Sequence, residues 1–317
     1  MNDFVDSINV PAAVDIIIPY YRAFDYLCEA VESVCAQTFT NFRLLVIDDS
    51  PNDLIAREFI ESLKDPRISY VSNPRNLGII GNFELARLAV NANWGLILGH
   101  DDRLLPRFLE VMLSHASKNP SVALIQAQTQ VINAEGDVYR PLVDKVKNLI
   151  WASTLYLAKK PPNGESDLKS TLVSSKLATA SISIGDFLYF PTILWNKSVL
   201  RNYDFRKDLL ITSDIDILMR VFSDGNQMLL VEEILAQYRR HQDSLSARSD
   251  LKLNRLREEV ATYREAALLL KSHNLKSSAV LAQMRPSTRL FAWYEMLQCL
   301  FRGNIKIASK FLLLGLS

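Results

Sequence analysis

Between Val14 and Ile125, short apolar runs alternate with segments whose apolar residues recur every three or four positions, and that alternation leaves the chain few ways to fold. It builds a parallel sheet covered by helices. The runs are Val14–Ile18, Arg43–Ile47, Arg67–Val71, Trp94–Leu98 and Ser121–Ile125. Between the first two, Phe24, Leu27, Cys28, Val31, Val34 and Cys35 share one helical face, so both cysteines read as packing residues rather than a redox pair. Further helices are expected at 53–64, 79–92 and 106–117, the last opened by Pro106 in its first turn. Residues 126–180 carry a hairpin-like Asn133–Asp137 and a polar stretch at Pro161–Gly164, with no clear period. A strand, a helix around Ile215–Phe222 and two strands around 228–239 follow Gly185, and beyond Leu251 the pattern is helical, broken near Pro286 and Gly303.

Composition narrows the class. Three cysteines in 317 residues are an odd number, which argues for a reducing compartment and no disulfide framework. The N-terminus is acidic and broken by polar residues, unlike an export signal, and the longest apolar runs fall far short of the roughly 20 residues that cross a bilayer. A cytoplasmic protein is expected. A net charge of +1 excludes a strongly basic nucleic-acid binder, yet it hides an asymmetry. From Leu251 onward eleven Lys and Arg face four Glu, a balance of +7, so the preceding 250 residues carry −6. A basic tail on an acidic body points to a partner.

In open parallel sheets, ligands bind beyond the carboxyl ends of the strands. Those ends here read Pro19-Tyr20-Tyr21-Arg22, Asp48-Asp49-Ser50-Pro51, Asn73-Pro74-Arg75-Asn76-Leu77-Gly78 and Gly99-His100-Asp101-Asp102. Neither a dinucleotide-binding glycine fingerprint nor a P-loop is present. Carboxylates without a cysteine pair suit a hard cation such as Mg²⁺ or Mn²⁺, and with it a diphosphate ligand.

These motifs, with Ser33-Val34-Cys35-Ala36-Gln37-Thr38-Phe39, Asn82, Leu105-Pro106, Ser213-Asp214-Ile215-Asp216 and Tyr238-Arg239-Arg240-His241, occur in an order that resembles the family 2 glycosyltransferases over roughly residues 14–245. The resemblance implies a GT-A fold, a Rossmann-like mixed α/β sheet flanked by helices. It would span residues 11–245, with a nucleotide-binding half (11–125) and an acceptor half (126–245), followed by a helical C-terminal extension at 246–317. It also implies an inverting, metal-dependent transfer from a UDP- or dTDP-sugar to a hydroxyl acceptor, saccharide or lipid-linked, in bacterial surface polysaccharide or glycolipid assembly.

Carried residue by residue, the resemblance places Pro19, Tyr21, Arg22, Asp49, Asn76 and Asp101 around the donor. Tyr21 would stack on a pyrimidine and Asp49 would accept its N3–H, which uracil and thymine share. Asp49 reads equally as an Asp-Ser turn, and Asn76 and Gly78 as a turn alone. Asp101 and Asp102 match the family's D-x-D element, with Mn²⁺ or Mg²⁺ between protein and diphosphate. The leading Asp of that element is Gly99 here, which leaves open which of the pair is the ligand. His241 matches a metal or diphosphate contact, or is simply packed. Asp214 matches the catalytic base, although Ser213 and Asp214 could also cap the following helix. Asp216, two residues on, reads as structural, and His115 and His273 as helix-surface residues.

Two other classes stay open: a nucleotide-sugar-binding module without transfer, suggested by Gly99, and a sugar nucleotidyltransferase, disfavoured because Pro19–Arg22 is not a glycine-rich loop. In the tail, Leu290, Tyr294, Leu297, Phe301, Ile305, Ala308 and Leu312 recur at near-helical spacing among Arg289, Arg302, Lys306 and Lys310. Such helices make peripheral membrane contact, pair with a second subunit, or dock on the catalytic domain; burial of the stripe decides.

Overall fold

The computed structural model describes residues 12–51, 54–159, 169–241 and 252–316; the Pro161–Gly164 stretch and the 245/246 boundary lie outside them. Strands β1 (Val14–Tyr20), β2 (Phe42–Asp48), β3 (Ile68–Ser72) and β4 (Trp94–Ile97) are parallel, in the order β3-β2-β1-β4. Every residue of β1 and β2 is buried, as expected of strands covered on both faces. Helices α1 (Phe24–Cys35), α2 (Leu54–Ser62) and α3 (Gly78–Ala89) connect them, and α1 buries Leu27, Ala30, Val31 and Val34. Cys35 packs against the same core, in agreement with its reading as a packing residue.

Pro19 sits inside β1, where a missing N–H would normally break the sheet. The Tyr20 carbonyl faces β2, accepting from the Asp49 N–H, whereas the Ile17 carbonyl faces β4, accepting from Leu98. Pro19 therefore turns its nitrogen toward the side where β4 has already ended at Ile97. It marks the place where β1 leaves the sheet for the site.

The second half makes the sheet mixed. Strand β5 (Arg103–Leu104) and helix α4 (Phe108–Lys118) lead into β6 (Leu124–Ile132), helix α5 (Leu142–Ala158), β7 (Ser170–Val173), helix α6 (Ser175–Ile184), β8 (Ile193–Asn196), the short α7 (Lys197–Leu200), α8 (Ser213–Ser223) and β9 (Met228–Arg239). Strand β8 bridges β4 and β6 antiparallel to both, β9 runs parallel to β6, and β5 and β7 pair antiparallel with β9.

Several sequence expectations change. The two strands around 228–239 are one strand, whose pairing with β6 slips around Gln128, so that Glu232 and Glu233 fall in the irregular stretch and reach Lys159 and Arg107. Pro106 precedes the helix: α4 begins at Phe108 behind Arg107, and the Pro106 carbonyl accepts from the Thr38 N–H. His115 is buried on α4 rather than on its surface, and burial pulls its imidazole below the usual histidine range. His273 is exposed, as expected.

Helices α9 (Lys252–Ser272), α10 (Lys276–Met284), α11 (Pro286–Phe301) and α12 (Ile305–Leu316) complete the chain. Leu256 of α9 forms a small core with Ala292 and Phe311 of the last two. Among the described residues no helix is long and apolar enough to cross a membrane.

Candidate active site

Two buried carboxylates shape the floor of the site. Asp48 ends β2 and accepts from the Ser50 N–H at 2.6 Å and from the Tyr70 hydroxyl. Its neighbour Asp49 takes three hydrogen bonds: Oδ1 from Asn73 Nδ2 and the Leu77 N–H, both at 2.8 Å, and Oδ2 from the Gly78 N–H at 2.9 Å. The sequence leaves Asp49 open between a nucleobase contact and a turn; in the structure both of its oxygens hold the turn that starts α3. Gly78 adopts φ +74° there, a conformation that favours glycine. Asn76 Nδ2 donates back to the Asp49 carbonyl at 3.0 Å, so the Asn76-Leu77-Gly78 motif and Asp49 form one unit. Asn82 ties it to the sheet by donating to the Tyr20 and Ile47 carbonyls.

Beyond β1 the backbone is strained. Arg22 and Ala23 are consecutive non-glycine residues in the left-handed region, at φ 53° and 60°, costly conformations that concentrate at functional sites. The Arg22 N–H is anchored on Ser50 Oγ at 3.0 Å. This turn leaves Tyr21 exposed, with the Arg22 guanidinium 5.1 Å from its ring centroid. The Ser33–Phe39 motif instead serves the scaffold: Ser33 Oγ accepts from the Leu104 N–H, and Gln37 donates to the Leu105 carbonyl and accepts from the Leu109 N–H.

After β4 the acidic pair divides. Asp102 is fully buried, its Oδ1 accepting from the Arg239 N–H at 2.8 Å and its Oδ2 without a partner. Burial, followed by the Asp101 charge, pushes its carboxyl well above the usual range. Asp101 is more open and meets His241 Nε2 at 3.0 Å through Oδ2. Burial alone would raise it, but the His241 hydrogen bond, with the charges of His100 and His241, holds it below the ordinary value. A Cβ on Gly99 would lie 2.4 Å from Asp102 Oδ2 and 3.0 Å from Asp101 Oδ1. The space of a leading aspartate is thus taken by the Asp102 carboxyl.

Arg239 of the Tyr238–His241 motif, to which the sequence assigns no role, holds this turn. Arg239, buried at the end of β9, donates from Nε to the Asp101 carbonyl at 2.9 Å and from Nη1 to the Ala134 carbonyl at 2.7 Å, and pairs with Glu29 of α1 through Nη2. Next to it, Arg240 chelates Asp144 of α5 at 2.7 and 2.8 Å, and the Tyr189 hydroxyl donates to the same carboxylate. Fixing Arg239 and Arg240 fixes where His241 meets Asp101.

Asp214 stands in the first turn of α8, behind the cap position held by Thr212, so it is not the N-cap. Its Oδ1 accepts from the Ile215 N–H at 2.8 Å. The carboxyl is pushed up to about 7, first by exclusion of solvent and then by the charge of Asp186, with Lys147 pulling the other way. Lys147 itself donates to Asp186 Oδ2 at 2.6 Å and to the Leu188 carbonyl at 2.8 Å. Asp186 of the Gly185–Pro191 loop therefore adds to the effect of burial on Asp214. Arg255 of α9 acts electrostatically on both Asp214 and Tyr238, joining the two flanks. Asp216 pairs with Arg220 at 2.7 Å and with Arg206 at 3.6 Å, the structural part expected of it.

Among the described residues no cluster of three or more His, Cys, Asp or Glu side chains surrounds a single point. Asp101 and His241 nonetheless offer an oxygen and a nitrogen donor side by side, which fits Mn²⁺ or Mg²⁺ if a ligand's own oxygens supply the remaining positions.

A mixed sheet with polar residues gathered at its carboxyl ends, a strained turn after β1 and a split acidic pair is the GT-A architecture of sugar-transferring enzymes. Residues 15–166 match the glycosyl transferase family 2 model, and this part of the chain is a family 2 glycosyltransferase domain. An uncharacterized glycosyltransferase of Methanocaldococcus jannaschii is 23% identical over 240 residues, 74% of this chain and 73% of that protein. The Escherichia coli UDP-Glc:alpha-D-GlcNAc-diphosphoundecaprenol beta-1,3-glucosyltransferase WfgD is 29% identical over 120 residues, 38% of this chain and 47% of its own length. Among solved structures, S. aureus TarS 1-349 in complex with UDP-GlcNAc superposes with a TM-score of 0.63 at 13% identity, over 86% of this chain and 71% of that one. The mannosyltransferase PcManGT of Pyrobaculum calidifontis, in complex with GDP-Man and Mn²⁺, gives 0.59 at 12% identity, over 98% and 87%.

Proposed function

We propose that this glycosyltransferase moves a sugar from a UDP- or dTDP-sugar to a hydroxyl of a saccharide or lipid-linked acceptor, with inversion, in surface polysaccharide or glycolipid assembly. The observation that carries the mechanism is the Asp214 carboxyl, raised to about 7 beside the Gly185–Pro191 loop. A base works best with a pKa near the working pH, and an acceptor hydroxyl must lose its proton as it attacks the anomeric carbon opposite the diphosphate. Asp214 takes that proton, and Lys147 and Asp186 tune it.

On the donor side, Tyr21 presents an exposed ring for stacking, while the strained Pro19–Arg22 turn and the Asp49-held Asn76–Gly78 turn shape the nucleotide pocket. Asp101 and His241 would hold Mn²⁺ or Mg²⁺, which when bound neutralises charge developing on the leaving diphosphate. Asp102 acts beneath them as the support that joins this turn to β9. Names of relatives support the setting: WfgD is named for a diphosphoundecaprenol acceptor, and TarS and PcManGT were solved with UDP-GlcNAc and with GDP-Man and Mn²⁺. Against the binding-module reading, a side chain at Gly99 would meet the Asp102 carboxyl, so the glycine suits the arrangement of the acidic pair.

The test is Asp214→Asn. A panel of nucleotide sugars, read by thermal stabilisation, identifies the donor. The variant should keep donor affinity and lose about 10²- to 10⁴-fold in transfer rate. Full rate with intact binding contradicts the mechanism; donor binding without turnover by the unaltered chain favours the module.

A further inference from the structure

The basic tail is not used by the site, and its burial pattern is one-sided. On α11, Thr288, Ala292 and Glu295 face inward, and the opposite side presents Leu290, Trp293, Leu297 and Phe301 to solvent. On α12, Ala308, Phe311 and Gly315 face inward, while Ile305, Leu312 and Leu316 share an outward face beside Leu313. The exposure is large where it matters: Phe301 88%, Ile305 72%, Leu313 67%. A Cβ on Gly315 would lie 2.7 Å from the Trp293 ring, so α12 packs closely against α11 with the half-exposed Trp293 at the seam between them. Of the three occupants open from sequence, the catalytic domain does not cover the stripe: apart from Ala308 it is left open.

Charge selects the occupant. From Arg285 onward the cations are Arg285, Arg289, Arg302, Lys306 and Lys310, and the single acid, Glu295, is engaged by Lys252 at 2.8 Å. Lys306 and Lys310 border the outward face of α12 by helical position. Arg285 is buried, and its Nε and Nη2 and Arg289 Nε lie out of solvent with no hydrogen-bond partner among the described residues, so the cations at the surface are Arg302, Lys306 and Lys310. A second copy of the chain would set this positive face against itself in a symmetric dimer. An anionic bilayer supplies both needs: acyl chains for the apolar face and phosphates for the cations.

We propose that the α11–α12 hairpin is an interfacial anchor that lies on an anionic lipid bilayer, with Trp293, Leu297, Phe301, Ile305, Leu313 and Leu316 toward the acyl chains. Helix α9 connects this anchor to the site. It packs Leu256 into the hairpin core, and two residues further on the Glu258 carboxylate accepts from the Ile211 and Thr212 N–H groups, at 2.6 and 2.8 Å, at the start of the helix that carries Asp214. The base would thus stand one helix away from the membrane surface. Its use on a lipid-linked acceptor rests on the proposed function, but docking does not.

The test is flotation of the full chain with phosphatidylcholine vesicles, with and without phosphatidylglycerol. The chain should float with the anionic vesicles in low salt and be released as salt rises, because screening shortens the reach of the cations. Combined Phe301→Asp and Leu313→Asp, both on exposed positions, should lower the bound fraction at least tenfold with unchanged circular dichroism and melting. Lys306→Glu with Lys310→Glu should weaken binding to anionic vesicles only. No binding to anionic vesicles, binding indifferent to both pairs of changes, or a dimer by light scattering that the Phe301 and Leu313 changes dissociate without any vesicle binding would each overturn the anchor. Since no sugar transfer is measured, failure here leaves the transferase reading untouched.

Discussion

Asp15 and Asp214 are both carboxylates in tight surroundings, at opposite ends of the fold, and the protein treats them in opposite ways. At the amino end of β1, Asp15 stands directly opposite Arg43 of β2 and receives two 2.8 Å bonds from its guanidinium, then two more from the Asn91 and Ala92 N–H groups. On α8, Asp214 has one backbone N–H, no cation in hydrogen-bond contact among the described residues and another carboxylate nearby. A matched charge holds structure, whereas an unmatched one retains a proton affinity that can be used.

The contrast can be broken from either end. Asp15→Asn leaves Arg43 buried against a neutral partner and should cost about 3–5 kcal/mol of stability, measured by urea unfolding, with donor affinity per folded molecule unchanged. Loss of donor affinity without loss of stability would reverse the assignment. Asp101→Asn should weaken donor binding in Mn²⁺ about tenfold to a hundredfold by calorimetry and do little without metal, since it removes one of two adjacent donors. An equal effect with and without metal would make Asp101 a nucleotide contact only.

The smallest effect returns to Asp214. With its folded carboxyl near 7 and its ordinary value near 3.8, the native state holds the proton more tightly than the unfolded chain. Stability is therefore drained as pH rises between those values. Asp214→Asn removes that loss, so the variant should gain stability over the unaltered chain at pH 8 and nothing at pH 4. A variant destabilised at both pH values would mean that the carboxylate is structural.

The parallel half of the fold was legible because β1 to β4 are short apolar runs separated by regular helices. The acceptor half was not, and α5 and α6 show why. Helix α6 buries Thr179, Ser181 and Ser183, which satisfy themselves within the core: Thr179 Oγ1 donates to the Ser175 carbonyl, Ser183 Oγ to the Thr179 carbonyl, and Thr154 of α5 to Ser181 Oγ. Inward-facing Asp144 and Lys147 erase the period of α5 in the same way. Strand β9 read as two because the adjacent glutamates Glu232 and Glu233 interrupt its apolar pattern.

At the candidate site, motif order singled out Asp101, His241 and Asp214 but could not say what surrounds them. Nothing in spacing reveals that Asp49 is spent on a turn, that Arg239 knots the acidic pair to β9, or that Asp186 and Lys147 face Asp214. Those pairings join residues 28 to 138 positions apart, so only the folded chain brings them together.

The pH dependence of kcat/KM tests the base assignment most directly. With a saturating metal ion, log kcat/KM should rise with unit slope below about 7 and level above it, and the limb should vanish in Asp214→Asn. A profile flat from pH 5.5 to 8.5, or an unchanged limb in the variant, would mean that another group takes the acceptor's proton.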